Sequence, residues 1–326
     1  MNVHRYCLLK PRRRFVPGSR FQPNLCRVNS TREPKFVDIL ILPVSPAWPT
    51  AHQKVLRNYT AVILLKQGGQ KAAYRAHHAD HGNVVVKIGS YATINGLKRI
   101  QREVEVLRGL NSKYYPRNIA FSTEPPNQFV IVEEYVDSVP LSASLTQFSA
   151  PAEALAFLRH LVQGLSIIWE KRVVHRDIKP DNILVAPDGV PKIIDLGIAR
   201  LLDDESLTRT LNARGPCTPN YASPEQLKNR KAQIDQRADQ FGLGIVFLQL
   251  LLSGAHPFDP AIVGSGDSIV SNILSDKWCR AKLQRCSHPS SIQSLAAKLL
   301  GPEPFQRYRT TASLLSAITV CERELS

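Results

Sequence analysis

Val173-Val174-His175-Arg176-Asp177-Ile178-Lys179-Pro180-Asp181-Asn182 sets two aliphatic residues in front of a run of donors and carboxylates. A buried helix or strand does not gather His, Arg, Lys, Asn and two Asp in this way, because buried charge is costly unless it is paired or bound to something. On a loop beside a cleft, the same residues can handle a charged substrate. A solvated loop is the plainer alternative, and the flanking sequence decides between the two.

Just downstream, Ile183-Leu184-Val185 and Lys192-Ile193-Ile194 flank Pro187-Asp188-Gly189, and Asp-Gly between two aliphatic runs is a strong hairpin signal. A turn centred between Asp188 and Gly189 sets Asn182 opposite Asp195. An amide and a carboxylate side by side suit a hard cation that also takes phosphate oxygens and water, which points to magnesium (Mg2+).

Upstream the texture is different. Ala61-Val62-Ile63-Leu64-Leu65 and Val84-Val85-Val86-Lys87-Ile88 are short aliphatic runs separated by a Gly-containing turn and a polar loop, and Phe129-Val130-Ile131-Val132 is a third run. They read as strands of a small antiparallel sheet. Residues 96–110 carry Leu97, Ile100, Val104 and Leu107 at helical spacing, which places Glu103 on the apolar face and Glu105 on the solvated one. An acid on that face wants a cation, and Lys87 is the candidate. Beyond residue 137 the pattern turns helical, beginning with Leu158, Leu161, Val162, Leu165 and Ile168 after Pro151. Sheet first and helices after makes the fold class α+β.

The chain has 326 residues, 43% of them hydrophobic, enough for one large or two modest domains with a buried core. The longest apolar run, 241–252, is too short to span a bilayer and reads as a buried helix. The six cysteines show no C-x-x-C pair and no metal-ligand spacing, as expected of reduced thiols in a cytoplasmic protein. The formal charge of +15 is uneven, since residues 1–35 hold nine Lys or Arg against Glu33 alone. Residues 1–55 therefore read as a basic extension outside the fold, suited to contact an acidic partner.

His175-Arg176-Asp177-Ile178-Lys179-Pro180-Asp181-Asn182 resembles the catalytic loop of the eukaryotic-type serine/threonine protein kinases. The resemblance extends over roughly residues 58–320. It implies a bilobal fold, with residues 56–137 as the small lobe and hinge, residues 138–326 as the large lobe, and ATP in the cleft between them. Asp177 would orient the acceptor hydroxyl of a protein serine or threonine, and Lys179, which marks the serine/threonine branch, would steady the γ-phosphate. Asn182 and Asp195, the latter in Asp195-Leu196-Gly197, would hold the metal. Lys87, paired with Glu103, would contact the α- and β-phosphates.

The same likeness assigns the backbone of Glu134 and Val136 to the adenine, with Glu133 at the gatekeeper position just before them. Gly68 and Gly69 fall in the phosphate loop, where Lys66 and Lys71 replace the outer glycines. Thr218-Pro219-Asn220-Tyr221-Ala222-Ser223-Pro224-Glu225 is similar to the end of an activation segment, in which Thr218 touches the catalytic Asp and Lys and Glu225 pairs with Arg307. Arg176 would receive a phosphate on residues 206–210, added by an activating kinase or by the chain itself in trans. Asp239 would anchor the catalytic-loop backbone, and His256 would be a packed residue.

Two other classes share part of the pattern. A binding module that keeps the fold without the activity would fit the altered glycine loop and Glu133, but has no need of Asp177, Asn182 and Asp195 together. A small-molecule kinase of the aminoglycoside type shares the metal chemistry, but lacks the Ser223-Pro224-Glu225 segment and its arginine.

Overall fold

A computed structural model describes residues 49–68, 71–196, 219–286 and 288–326; the side chains of Arg99 and Glu103 lie outside the description. The aliphatic runs form a five-stranded antiparallel sheet, in the order β1-β2-β3-β5-β4. The strands are β1 (Thr60–Gln67), β2 (Lys71–His78), β3 (Gly82–Ser90), β4 (Asn118–Glu124) and β5 (Gln128–Glu134). Alternation along each strand sorts side chains to the two faces. Ala72, Tyr74 and Ala76 of β2, Val84, Val86 and Ile88 of β3, and Val130 and Val132 of β5 form one apolar layer. The opposite face carries Phe129 and Ile131, which pack with Ile100 and Val104 of helix α2 (Ile94–Arg108).

That helix begins where Thr93 accepts a hydrogen bond from Gly96 N at 3.0 Å, which satisfies one of the open donors of the first turn. It therefore starts and stops two residues earlier than the expected 96–110, while its apolar face is as expected: Ile100, Val104 and Leu107 are buried. The expected edge of the basic extension, at residue 55, falls inside helix α1 (Thr50–Leu56). Leu56 is fully buried in the first apolar layer and His52 Nδ1 lies 2.8 Å from the Tyr74 hydroxyl, so residues before 56 already pack against the sheet.

The large lobe is mainly helical. Helix α3 (Pro151–Glu170) opens on a proline, whose missing N–H is no loss at that position. It packs against α5 (Gln236–Leu251) and α10 (Thr311–Leu325). Every residue of α5 from Ala238 to Leu251 is buried, so it is the central helix and shows no polar stripe. Burying a Leu or Phe side chain there contributes about 1.5–3 kcal/mol. Gly242 lets this helix close on the loop below it: a Cβ would meet Ile178 Cβ and the Ile178 carbonyl at 3.0 Å. The other α-helices of this lobe among the described residues are α4 (Pro224–Leu227), α6 (Pro260–Val263), α7 (Ile269–Leu274), α8 (Arg280–Arg285) and α9 (Ser290–Leu299).

A small sheet of β6 (Val139–Pro140), β7 (Ile183–Val185) and β8 (Pro191–Ile193) roofs this lobe. The hairpin between β7 and β8 forms as expected, but in another register. Ile183 pairs with Ile193 and Leu184 with Lys192, and Ile194 N donates to Asn182 O at 3.0 Å. Asn182 thus faces Ile194, and the expected pairing with Asp195 is off by one. The cause is the turn, a three-residue loop in which Gly189 N donates to Ala186 O at 2.8 Å and Gly189 has φ +77°. Asp188 Oδ1 accepts from Val190 N at 3.0 Å and closes it. A two-residue turn would have set the other register, and one residue of slip moves every side chain to the other face.

Candidate active site

The loop that opened the sequence reading lies between α3 and β7, pinned from below. Asp239, in the first turn of α5, accepts from His175 N and Trp169 Nε1 through Oδ2, each at 2.8 Å, and from Arg176 N through Oδ1 at 2.7 Å. Burial raises its carboxyl pKa, and His175, Trp169 and the backbone donors oppose that rise. Arg176 has φ +66°, a costly conformation for a residue with a side chain, and Gln226 Nε2 donates to its carbonyl at 2.9 Å.

His175 is fully buried, which lowers its pKa and keeps the ring neutral. A neutral ring can both donate and accept here: Nε2 donates to Ile194 O at 3.0 Å, and Nδ1 accepts from Asp177 N at 3.3 Å. The imidazole therefore ties the catalytic-type loop to the segment carrying Asp195. It is a structural bridge.

On the upper side of the loop three expected site residues converge. Lys179 Nζ lies 2.8 Å from Asp177 Oδ2, and Asn182 Nδ2 donates to Asp177 Oδ2 at 2.8 Å and to Asp177 O at 2.9 Å. Lys179 and Asn182 are buried. The carboxylate is thus held between a cation and an amide.

Across the cleft Asp195 also has a left-handed backbone, with φ +59°. Lys87 Nζ is 3.0 Å and Lys71 Nζ 2.8 Å from its Oδ1. Burial alone would raise the Asp195 carboxyl pKa, but the two lysines outweigh it and hold the group well below the usual carboxylate range. Lys87 has a second carboxylate, Glu133, at 2.6 Å. Burial lowers the Lys87 pKa, and Asp195 and Glu133 more than reverse this, so the ammonium stays charged. The expected partner, Glu103, is carried by α2, and its side chain lies outside the described residues.

Lys71, Lys87, Ile131, Glu133, Asp195 and Leu196 line one cleft. Glu134 ends β5, where its N–H donates to Arg117 O at 3.0 Å; Val136 follows just beyond, its carbonyl accepting from the Ser138 hydroxyl at 3.1 Å. Gly68 N donates to Lys71 O at 2.9 Å, closing the turn between β1 and β2. Gly69 and Thr218 lie outside the described residues, as do residues 206–210.

Among the described residues, no three His, Cys, Asp or Glu side chains are grouped to hold a metal by themselves. The side-chain oxygens of Asp195 and Asn182 are of the kind that suits a hard divalent ion taking its remaining ligands from phosphates and water. From the sequence Glu133 stands only at the gatekeeper position, and its contact with Lys87 is not foreseen; the signal was a carboxylate directly after the apolar run Phe129-Val130-Ile131-Val132, where a buried acid needs a cation.

A five-stranded sheet with helix α2 on one face, set on a helical lobe and meeting it at a cleft of paired lysines and carboxylates, is the protein-kinase fold. The family model described as the protein kinase domain matches residues 59–317, and the chain belongs to that family. Members of the family use ATP together with a divalent metal. The chain is 29% identical over 267 residues to serine/threonine-protein kinase PrkC of Bacillus subtilis, covering 80% of this chain and 40% of that protein. It is 30% identical to the serine/threonine-protein kinase drp72 of Corynebacterium efficiens, covering 80% of this chain and 50% of the relative. This chain thus spans half or less of the length of these relatives. Among solved structures, the PknI kinase domain of Mycobacterium tuberculosis matches in fold with a TM-score of 0.57 at 21% identity, over 81% of this chain and 96% of that one. No helix of the described residues is long and apolar enough to cross a membrane.

Proposed function

We propose that the chain transfers the γ-phosphoryl group of ATP, with magnesium, to serine or threonine hydroxyls of a protein substrate. The observation that carries this reading is the convergence of Lys179 and Asn182 on the Asp177 carboxylate, each at 2.8 Å. A carboxylate so held can orient a hydroxyl and take its proton as the oxygen attacks. Lys179, already at that carboxylate, steadies the transferred phosphate. Lys87 sets the α- and β-phosphates, and Asp195 and Asn182 hold the metal. Bound there, magnesium would neutralise phosphate charge. The backbone of Glu134 and Val136 receives the adenine, and Gly68 and Gly69 let the loop between β1 and β2 approach the phosphates.

The names of the relatives support serine and threonine as acceptors, as does Lys179. Thr218 completes the acceptor side, and phosphorylation of residues 206–210, by an activating kinase or by a second copy in trans, orders the segment through Arg176. The basic residues 1–35 offer a contact to an acidic partner. The test is to incubate the purified chain with labelled ATP, magnesium and a generic basic protein, then identify the phosphorylated amino acid. Phosphoserine or phosphothreonine is expected; no transfer, or phosphotyrosine alone, overturns the reading.

A further inference from the structure

We propose that Glu133, at the end of strand β5, is the positioning residue that holds Lys87 for the nucleotide, a task the family resemblance gives to an acid of helix α2. The inference rests on the reading of the cleft as a nucleotide site. Register places the pair. Strands β3 and β5 run in unbroken antiparallel register from Val84↔Glu134 to Ser90↔Gln128, with Val85 opposite Glu133 and Lys87 opposite Ile131. Lys87 and Glu133 are therefore diagonal neighbours on one face, within reach of long side chains. Their charged atoms are 2.6 Å apart, and the residues are 6% and 8% exposed.

Charge gives the second reason. Lys71 and Lys87 both reach Asp195 Oδ1, at 2.8 and 3.0 Å. Among the described residues the cluster holds two cations and, with Glu133, two anions. Glu133 thus lowers the repulsion between two ammonium groups that both reach Asp195 in a largely buried cleft. Glu133 thus offsets the lysine that stands where the phosphate loop has a glycine.

The third reason concerns what moves. A carboxylate on a hydrogen-bonded sheet keeps its place beside the neighbouring strand, whereas one on a separately packed helix follows that helix. The Lys87–Glu133 contact is set by the β3–β5 register, so this part of the lysine's orientation is fixed within the sheet.

The experiment measures the affinity for magnesium-ATP by calorimetry, and KM for ATP and kcat, in the unsubstituted chain, Glu133→Gln, Glu133→Asp and Glu103→Gln. Thermal melts check that each variant is folded. Glu133→Gln, equal in shape, is expected to weaken ATP binding and raise KM about tenfold. Glu133→Asp restores part of the loss, which a purely structural role would not produce, and it remains the decisive variant if Glu133→Gln does not fold. Glu103→Gln costs less than Glu133→Gln. Binding by Glu133→Gln within about twofold of the unsubstituted chain, or an equal or larger loss in Glu103→Gln, overturns the proposal. An unsubstituted chain that binds ATP but transfers nothing fails the kinase reading alone, and the affinities still decide on Glu133; one that binds no ATP overturns both.

Discussion

Glu225 and Arg307 stand 82 positions apart in the chain and meet inside the large lobe, where Arg307 Nη1 and Nη2 donate to Oε1 and Oε2 at 2.7 and 2.9 Å. Their side chains are 1% exposed or less. Arg307 also donates from Nε to the Gly301 carbonyl and from Nη1 to the Arg237 carbonyl, each at 2.8 Å. The pair thus locks the segment that follows the catalytic-type cleft to the helices behind it.

Removing one partner leaves a buried charge without compensation, which costs about 3–5 kcal/mol. Glu225→Ala and Arg307→Ala are both expected to lower the unfolding free energy by that amount, measured by urea denaturation. The double variant should lose less than the two single losses added together, because the second substitution removes the charge the first left stranded. Additive losses would show that the two side chains are not coupled.

His256 sets an acid limit on stability. Its Nε2 donates to Asn220 O at 3.1 Å and its Nδ1 accepts from Phe258 N at 3.3 Å, so the ring must be neutral. Burial lowers its pKa from 6.5 to about 4. Between those two values the unfolded chain binds a proton that the folded chain does not, so stability rises with pH across that window. The contribution is fully present above about pH 6.5 and is lost as pH falls toward 4. Unfolding free energies at pH 7 and pH 5 should differ by on the order of 1–2 kcal/mol more in the natural chain than in His256→Asn. An equal pH dependence in both would remove His256 from the account.

The residues at the centre of the site were legible because charged side chains amid aliphatic ones stand out wherever they fall: Asp177, Lys179 and Asn182 on the loop, Asp195 after a short strand, Lys87 inside one. The family likeness added pairings that spacing alone does not reveal, among them Glu225 with Arg307 and Asp239 with the loop backbone. What stayed hidden depended on backbone geometry or strand register. Asp188-Gly189 marks a turn, but whether two or three residues form it rests on where the chain takes a positive φ, and that choice decided whether Asn182 faced Asp195 or Ile194. Helical periodicity placed Glu103 on the apolar face of its helix. No periodicity shows that Glu133 lies diagonal to Lys87, because that follows from how β3 and β5 align.

Asp177→Asn separates catalysis from binding. The amide keeps the shape of the side chain and can still meet Asn182, but it cannot take a proton and loses its charge interaction with Lys179, 2.8 Å away. General-base contributions are worth about 10²–10⁴ in rate. Phosphoryl transfer is expected to fall by that factor, with ATP affinity within about threefold of the natural chain, since the role proposed for this carboxylate is toward the acceptor hydroxyl and not the nucleotide. Transfer at a near-natural rate would sink the assignment of Asp177; a parallel loss of ATP binding would show that it acts on the nucleotide.

The two lysines that replace loop glycines separate in the same way. Lys66, near the end of edge strand β1, is exposed, whereas Lys71, at the start of β2, reaches into the cleft and lies 2.8 Å from Asp195. The β2–β3 register explains the second: Lys71 shares a face with Ala73, and Ala73 pairs with Lys87. Lys71 lies beside Asp195 in the cleft proposed for the nucleotide, and its side chain, 22% exposed, is only partly screened. An exposed charge such as Lys66 is screened within about 8 Å at physiological ionic strength. Lys71→Gly is therefore expected to weaken ATP binding roughly threefold to tenfold at low salt and to flatten its salt dependence, while Lys66→Gly changes either by less than about twofold. Calorimetric titrations at several salt concentrations measure both. Tighter binding by Lys71→Gly at every salt concentration would mean that Lys71 only blocks Asp195, and equal effects of the two substitutions would mean that their different placement does not matter to the nucleotide.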